Sequence, residues 1–263
     1  MTYPDSGIAR GQVEDTAVVF AVPSGFVAVS KDGDDTYGNG SFGAPLLTIA
    51  AGLAALTAVR KTLIVLPGEY SEAALVWPSI TGLELVAPFG EVSITNSDAA
   101  AAVLTISPTY SASTFEATIR GAINLAADTQ IGLAIANAAM TKKLNVYLDG
   151  LSAELDTSGD SIDVAGTVAG QAIRVYAKNL DLEGLLHFTA NDAGSRLRIE
   201  SSNLVGGVTT TGAVAAELSM RNTRVLTGGL SAATEWKLSH VGCIYATDAD
   251  PAIYSELAAA YDS

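Results

Sequence analysis

The sequence predicts an all-β protein whose chain winds into a single-stranded parallel β-helix, and three observations lead to this fold class. A short pattern recurs five times, apolar and polar residues alternate within each copy, and no long amphipathic helical pattern separates the predicted strands. Hydrophobic residues make up 49% of the 263 residues, whereas aromatic residues make up only 6%. We therefore expect an interior of stacked aliphatic side chains rather than a cavity lined by rings.

The recurring pattern is eight residues long and has apolar residues at its first, third and eighth places. Its copies run over residues 144–151, 173–180, 197–204, 218–225 and 236–243. Their third places are residues 146, 175, 199, 220 and 238, which are 29, 24, 21 and 18 residues apart. A period of roughly 20–30 residues is typical of solenoids, in which each repeat buries its apolar face only against its neighbours.

Aligning the five copies place by place predicts which side chains share a face. Because alternate residues of a strand point the same way, the first, third and fifth places are expected to face inward and the second and fourth outward. The seventh place is expected to be a bend with a left-handed backbone, which glycine and asparagine tolerate best. Its occupants are Gly150, Asn179, Asn203, Arg224 and Gly242, of which Arg224 does not fit.

The two ends of the chain differ from the repeats, so that the sequence divides into three parts. Residues 1–28 combine proline and glycine with one apolar run, and they predict an N-terminal arm that attaches the protein to a larger assembly. Residues 29–250 predict the β-helix, which includes a turn-rich loop and a short capping helix within 46–59, where apolar residues recur at helical spacing. Residues 251–263 begin with Pro251 and continue with helix-forming residues, which predicts a C-terminal cap.

The charge of the chain restricts its partners. The 28 acidic and 14 basic residues give a net charge of −14, which argues against nucleic-acid binding because phosphate neutralisation needs clustered lysine and arginine. The N-terminus lacks the basic and apolar regions of a signal peptide, and the longest apolar stretch is too short to span a bilayer. We therefore expect a protein that is made in the cytoplasm and does not contact membranes.

The single cysteine, Cys243, is expected to be a small buried hydrophobe.

The region from residue 29 to residue 72 carries a second signal. It contains an Asp/Gly-rich loop at 32–40, the predicted helix, and a predicted strand at 63–66 followed by the motif Pro-Gly-Glu-Tyr. In this order the residues resemble the opening segment of right-handed β-helix proteins of the pectin-lyase-like superfamily. The resemblance implies a right-handed coil, a capping helix at its start and, as in the phage structural and tailspike-type members, a homotrimer. The superfamily also contains pectate lyases and polygalacturonases, so the fold alone does not decide the chemistry.

The Asp/Gly-rich loop is a candidate calcium site. Asp32, Asp34, Asp35 and Asn39 offer four oxygen ligands within eight residues, and the glycines between them allow tight turns. The loop does not follow the EF-hand pattern, because Gly43 stands where the bidentate glutamate would be expected. The alternative is a hydrogen-bonded turn that anchors the predicted capping helix.

The outward places of the repeats predict a basic and aromatic stripe. Its members are Tyr147, Arg174, Tyr176, Arg198, Arg221 and Lys237. Arginine and tyrosine are enriched where proteins meet, so the stripe is a candidate interface with a neighbouring copy in a homotrimer, or a binding surface for an anionic glycan. The alternative is a solvated face that keeps the sheet soluble.

The same alignment predicts no catalytic residues. A glycosidase needs two carboxyl groups that flank the substrate, and Glu200 is the only acidic residue at the outward second and fourth places. Asp181, Glu183 and His187 are close in sequence and predict a solvated turn. His240 falls at an inward place and predicts a hydrogen-bonded interior histidine rather than a metal ligand.

Together these observations predict a non-catalytic structural protein of a virion, namely a phage capsid-decoration (cement) or tail-associated β-helix. We expect a homotrimer that docks onto capsid or tail proteins through its N-terminal arm and needs no cofactor, calcium being the one candidate. The alternative is a β-helix protein that binds or degrades polysaccharide, as a lyase or glycosidase would, with a cell-surface glycan as its partner.

Overall fold

The computed structural model describes residues 25–96, 101–110, 112–126, 131–154, 159–212, 214–226, 229–231 and 236–245. The predicted C-terminal cap and most of the predicted N-terminal arm lie outside these residues. The described residues form 21 strands and one short α-helix, so the chain is nearly all β, as predicted. The first strand begins at Phe26, within the segment assigned to the arm.

The strands are mostly short, and three long ones occupy the middle of the chain. In chain order they are β1 (Phe26–Val29), β2 (Thr62–Val65), β3 (Gly68–Glu72), β4 (Leu75–Val76), β5 (Leu83–Asn96), β6 (Leu104–Ile106), β7 (Phe115–Ala126), β8 (Leu133–Ala136), β9 (Leu144–Ala153), β10 (Asp160–Gly166), β11 (Ile173–Lys178), β12 (Asp181–Leu182), β13 (Leu185–Ala190), β14 (Arg196–Glu200), β15 (Asn203–Leu204), β16 (Val208–Thr211), β17 (Glu217–Arg221), β18 (Arg224–Val225), β19 (Leu230–Ser231), β20 (Lys237–Val241) and β21 (Ile244–Tyr245).

All pairs between these strands are parallel, and the strands form three faces. Face 1 consists of β1, β2, β11, β14, β17, β20 and the N-terminal halves of β5, β7 and β9. Face 2 consists of β3, β12, β15, β18, β21 and the C-terminal halves of β5, β7 and β9. Face 3 consists of β4, β6, β8, β10, β13, β16 and β19.

The chain visits the three faces in the same order in successive coils, and all three bury side chains in one core. In a middle coil, Val146 on face 1, Leu151 on face 2 and Val164 on face 3 are each at most 1% exposed and belong to the same cluster. Nine strands lie side by side on face 1, so their eight spacings of about 4.8 Å give a stack about 38 Å long. A stack of parallel coils around one aliphatic core fits the predicted parallel β-helix.

The helix α1 (Ile49–Ala54) is shorter than the 46–59 segment that the helical spacing marks out. The hydroxyl of Thr57 accepts hydrogen bonds from the backbone N–H groups two and three residues later, and this local turn replaces a further helical turn. The helix packs closely on the first coils. A Cβ atom at Gly52 would lie only 2.6 Å from Cγ2 of Val29, so only glycine fits at this contact.

The register of the repeats differs from the place-by-place alignment of the sequence. Neighbouring strands align Val146, Val175, Leu197, Leu218 and Leu238, which are 29, 22, 21 and 20 residues apart. The sequence alignment is therefore wrong by two residues between the second and third copies and again between the fourth and fifth. The predicted inward fifth place is wrong at Ser201 and Asn222, which are exposed. Elsewhere a two-residue shift preserves the alternation of inward and outward side chains, because the strand period is two. It does change which side chains are neighbours along the stack.

The bend between faces 1 and 2 is a column of residues with a left-handed backbone. The φ angles lie between +50° and +105° at Gly121, Gly150, Asn179, Ser201, Asn222 and Gly242. The predicted bend is thus confirmed at Gly150, Asn179 and Gly242. It is wrong at Asn203 and Arg224, which lie two residues beyond the corner, and the register shift explains why Arg224 did not fit.

The inward residue after each corner changes along the stack from leucine to a small polar residue or cysteine. The hydroxyls of Ser202 and Thr223 lie 2.8 and 3.1 Å from the carbonyl oxygen two residues earlier, and both residues are buried. Cys243 repeats this contact, with Sγ 3.7 Å from the equivalent carbonyl oxygen, and it is half-buried rather than fully buried.

Candidate functional site

The outward side chains of face 1 form three parallel rows. The N-side row consists of Glu116, Asn145, Arg174, Arg196, Glu217 and Lys237. The tyrosine row consists of Thr118, Tyr147, Tyr176, Arg198, Ser219 and Ser239. The corner row consists of Arg120, Asp149, Lys178, Glu200, Arg221 and Val241.

The six residues of the predicted stripe all lie on face 1, but they do not form one ladder. Tyr147, Tyr176 and Arg198 share the tyrosine row, whereas Arg174 and Lys237 belong to the N-side row and Arg221 to the corner row. The predicted stripe is therefore spread over three rows, and its role as an interface stays a prediction. The two-residue register shift moved Arg198 beside Tyr176 instead of beside Arg174.

Acidic side chains interrupt the basic ones along these rows. Ion pairs join Lys178 to Asp149 (3.0 Å), Arg196 to Glu217 (3.2 Å), Arg120 to Glu84 (3.0 Å), and Nε of Arg198 to Glu200 (3.0 Å). Their basic members are more than half exposed, so each pair contributes at most about 1 kcal/mol to stability. The main effect is that this face presents alternating charge rather than a basic surface.

A groove of about 340 Å³ lies on face 1 between the tyrosine row and the corner row. The rings of Tyr147 and Tyr176 stack along it, with centroids 5.2 Å apart and planes inclined by 11°. Tyr147 is 37% exposed, so its ring is available to a ligand. Burial raises the pKa of Tyr147, and the carboxylate of Glu116 raises it further.

The groove combines a flat apolar surface with charged groups at its edge. Stacked phenol rings offer their faces to apolar or planar groups, and Arg198 follows them in the same row with five potential donors. The carboxylates of Asp149 and Glu200 line the opposite side, where each is engaged with a cation. The arrangement is chemically suited to binding through stacking and hydrogen bonds.

The Asp/Gly-rich loop is held by hydrogen bonds to its acidic side chains. Asp35 accepts from the backbone N–H of Leu47 (2.7 Å) and from both the N–H (3.1 Å) and the hydroxyl (2.7 Å) of Thr48, the N-cap of α1. Burial raises the pKa of the Asp35 carboxyl, but these hydrogen bonds outweigh it and hold the pKa below its usual value. The turn that anchors the helix is therefore confirmed.

The remaining candidate calcium ligands also have local roles. Asp34 accepts from the backbone N–H groups two and three residues later, and Asn39 accepts from the N–H two residues later. Asp32 is exposed at the start of the loop. The calcium interpretation stays a prediction, and the side-chain oxygens of Asp34 and Asn39 accept hydrogen bonds from the backbone of the loop.

A second group of chemically active side chains lies on the outward side of face 3. Nδ1 of His187 is 3.3 Å from the carboxylate of Asp163 and 3.9 Å from that of Asp160. Nε2 of His187 lies 3.3 Å from the hydroxyl of Thr211, which in turn is 2.7 Å from the hydroxyl of Thr189. In the described part of the chain this is the one place where three His, Cys, Asp or Glu ligand atoms lie within 4.8 Å of one another.

The sequence did not reveal this group, and the predicted solvated turn is wrong for His187, whereas Asp181 and Glu183 are exposed. His187 lies on β13, where its strand partner on β10 is Asp163, 24 residues earlier. Proximity along the chain was misleading, because in stacked coils the neighbours of a side chain are one coil away. One sequence feature could have indicated the pair: Asp163 and His187 each lie between two apolar residues of a strand, so both are expected to face outward.

His240 lies at an inward place, as expected, and its ring packs edge-on against Tyr245 with centroids 5.7 Å apart.

Comparison of the chain with protein-family models, with curated proteins and with solved structures found no match. Among the described residues, no helix is long and apolar enough to cross a membrane.

Proposed function

We propose that this protein is a non-catalytic structural component of a virion, built as a right-handed parallel β-helix with capping helices and assembled as a homotrimer. In this proposal the N-terminal arm docks onto capsid or tail proteins, and the β-helix projects from them as a rod. The observation that carries the proposal is that the described coils form one continuous stack around one apolar, mostly aliphatic core.

A solid stack is suited to a mechanical role. Each coil is hydrogen-bonded to the next along three faces, so the rod is stiff along its axis. The core residues are mostly aliphatic, with Trp77, Tyr70, Phe115 and Phe188 as large aromatic members, so the proposed binding groups lie on the outer surface. Residues 29–72 resemble the opening segment of pectin-lyase-like β-helix proteins, a superfamily whose members include phage structural proteins, and the virion proposal is compatible with this resemblance.

Face 1 is the proposed contact surface between the copies. It carries the stacked tyrosines and rows in which acidic and basic side chains alternate. Tyrosine and arginine contribute strongly to protein interfaces, and alternating charge can be matched by the same surface of a second copy. Arg174 and Lys237 of the N-side row form no ion pair among the described residues and remain available to carboxylates of that copy.

Sedimentation equilibrium of the full chain tests this assembly. A homotrimer has three times the chain mass of 26.8 kDa. Replacing Tyr147 and Tyr176 together by alanine is expected to reduce the mass to that of one chain. Tyr37→Ala is the matched control, since Tyr37 is 85% exposed on the Asp/Gly-rich loop and should leave the trimer intact. A wild-type monomer, or a trimer that survives the double substitution, would reject face 1 as the contact surface.

Docking through the arm is tested by co-purification with the structural proteins encoded in neighbouring genes. The full chain is expected to co-purify with a capsid or tail protein, and a chain that begins at residue 25 is expected to lose that partner while keeping its β-type circular dichroism. Retention of the partner without the arm would move the docking surface to the rod. Neighbouring genes for sugar degradation would count against the virion assignment.

The stacked tyrosines favour one other function, polysaccharide binding in the groove on face 1. Aromatic faces beside arginine suit a chain of anionic sugars, which offers apolar ring faces and carboxylates. Polygalacturonate is a suitable probe for calorimetry. If this function is correct, wild type and Tyr37→Ala bind the probe and the Tyr147/Tyr176 double variant loses at least tenfold in affinity, whatever its mass. Release of new reducing or unsaturated ends from the probe would contradict a non-catalytic role.

A further inference from the structure

The group on face 3 is built by a β-bulge that brings two aspartates to the same side. The pairing of β10 with β13 is irregular between Asp160 and Ile162, and Ser161 and Ile162 both point into the core. The hydroxyl of Ser161 accepts a hydrogen bond from the N–H of Gly184 (2.9 Å), which holds the bulge in place. As a result Asp160 and Asp163, three residues apart, both face outward, whereas a regular strand would place them on opposite sides.

His187 completes the group from the next coil. It is the direct strand partner of Asp163, so the two side chains stand side by side on adjacent strands. Its ring is oriented by Thr211, whose hydroxyl is 3.3 Å from Nε2 and is itself bonded to Thr189. With the proton on Nε2 donated to Thr211, the lone pair of Nδ1 points toward the carboxylates. A hydrogen bond of this kind from the second ring nitrogen is the usual support of a metal-bound histidine.

We infer that Asp160, Asp163 and His187 bind one divalent transition-metal ion, with zinc the expected type. Tetrahedral zinc with bonds of about 2.0–2.1 Å places its ligands roughly 3.3–3.5 Å from one another. The 3.3 Å between Nδ1 of His187 and the Asp163 oxygen already matches, and the 3.9 Å to Asp160 closes with a small side-chain rotation. The fourth position faces the outside of the rod and is open to water.

The electrostatics of the group also favour a cation. The side chains of Asp160 and Asp163 are 30% and 26% exposed, and neither forms an ion pair with a lysine or arginine among the described residues. Burial raises the pKa of the Asp160 carboxyl and the neighbouring Asp163 raises it further, while His187 partly offsets both. A divalent ion would balance the two carboxylates, and the imidazole ligand favours zinc, nickel or cobalt over calcium or magnesium.

Zinc binding to the chelator-treated full chain tests the inference, with calorimetry for affinity and elemental analysis for stoichiometry. We expect about one ion per chain, no displacement by equimolar calcium or magnesium, and at least a tenfold loss of affinity in His187→Gln and in Asp163→Asn. Two matched controls should bind zinc as wild type does. His240→Gln removes the other histidine, and Asp181→Asn removes an exposed carboxylate on face 2 that accepts a hydrogen bond from Asn203.

Circular dichroism and the midpoint of thermal unfolding show whether each variant is folded, and zinc is expected to raise this midpoint only in chains with the intact group. Histidine side-chain NMR of the wild type provides a readout that needs no variant, since zinc should shift the Nδ1 resonance of His187. The absence of zinc binding, unchanged affinity in His187→Gln, or an equal loss in His240→Gln would each overturn the assignment. If zinc does not bind, His187 and the carboxylates of Asp160 and Asp163 form an ion pair rather than a metal site.

Discussion

Replacing Gly121 with alanine tests whether the corner of each coil packs directly on the coil before it. Gly121 has φ = +105° and pairs with Ala87 of the preceding coil. A Cβ atom built on Gly121 would lie 2.3 Å from the carbonyl oxygen of Ala87 and 2.8 Å from its carbonyl carbon. Both atoms belong to the backbone, so a side-chain rotation cannot relieve the overlap.

The size of the effect follows from three contributions. A left-handed backbone costs an L-residue about 1–2 kcal/mol, and forcing an extra methyl group into a packed region costs about 1–3 kcal/mol. Alanine offsets about 0.4–1 kcal/mol of this cost, because it lowers the conformational entropy of the unfolded chain relative to glycine. Gly121→Ala should therefore lower the free energy of unfolding by about 1–5 kcal/mol.

Two other glycines separate the contributions. Gly170 has φ = +77° and open space around its Cβ position, so Gly170→Ala should cost only about 1 kcal/mol. Gly43 has open space and no positive φ, so Gly43→Ala should be neutral or stabilise by up to about 1 kcal/mol.

The assay is equilibrium unfolding in urea, followed by circular dichroism, for the three variants and the wild type. The expected order of stability is Gly43→Ala, then Gly170→Ala, then Gly121→Ala. If Gly121→Ala were no less stable than Gly170→Ala, the corners would not be in backbone contact, and the account of the corner column would be refuted.

Three further predictions concern named side chains. The hydroxyl of Tyr70 donates to the carbonyl of Leu66 (2.8 Å), so Tyr70→Phe should cost about 1 kcal/mol in urea unfolding near neutral pH. Burial first, then the charges of Glu72 and Asp32, raise the pKa of Tyr70 to about 12. The unfolded chain ionises at lower pH, so wild-type stability should fall between about pH 10 and 12, and a Tyr70→Phe chain with the same fall would contradict this. Burial also raises the pKa of Glu72, and the hydrogen bonds that its carboxylate accepts from the first N–H groups of α1 only partly offset this. The stability of the wild type should therefore fall as the pH rises from the usual glutamate pKa through the raised pKa of Glu72. The stability of Glu72→Gln should depend less on pH over this range. Ser201 has φ = +50°, so Ser201→Gly should be neutral or stabilise by up to about 1 kcal/mol, whereas a loss above that amount would mean that the serine side chain is needed at the corner.

The sequence predicted the architecture from the inward residues of the repeats. Leu144, Val146 and Leu148 alternate with polar residues, and all three are buried as the strand period requires. The anchoring turn at Asp35 was likewise foreseen, because its hydrogen bonds are made within a short stretch of chain. Patterns that depend on strand period or on local hydrogen bonding can be read from one sequence.

The candidate sites were only partly predictable. Tyr147 and Tyr176 were placed together correctly, since the first two copies are in the predicted register. The sequence alignment placed Arg198 beside Arg174 instead of Tyr176. A register error of two residues leaves the alternation of apolar and polar residues unchanged, so the sequence pattern does not reveal it. The group around His187 was missed, because its members come from different coils and its second aspartate is turned outward by a bulge that has no clear mark in the sequence.

The sequence by itself determined that this chain forms stacked β-coils, which side of each strand faces the core, and where glycine or asparagine allows several of the corners. The tertiary structure decided the register between coils, and with it the neighbours of every outward side chain. The physical reason is that burial of apolar residues selects a face with a period of two, whereas position along the strand is selected by hydrogen bonds and by the stacking of corners. Ser201 and Asn222, rather than Asn203 and Arg224, occupy the corner for that reason.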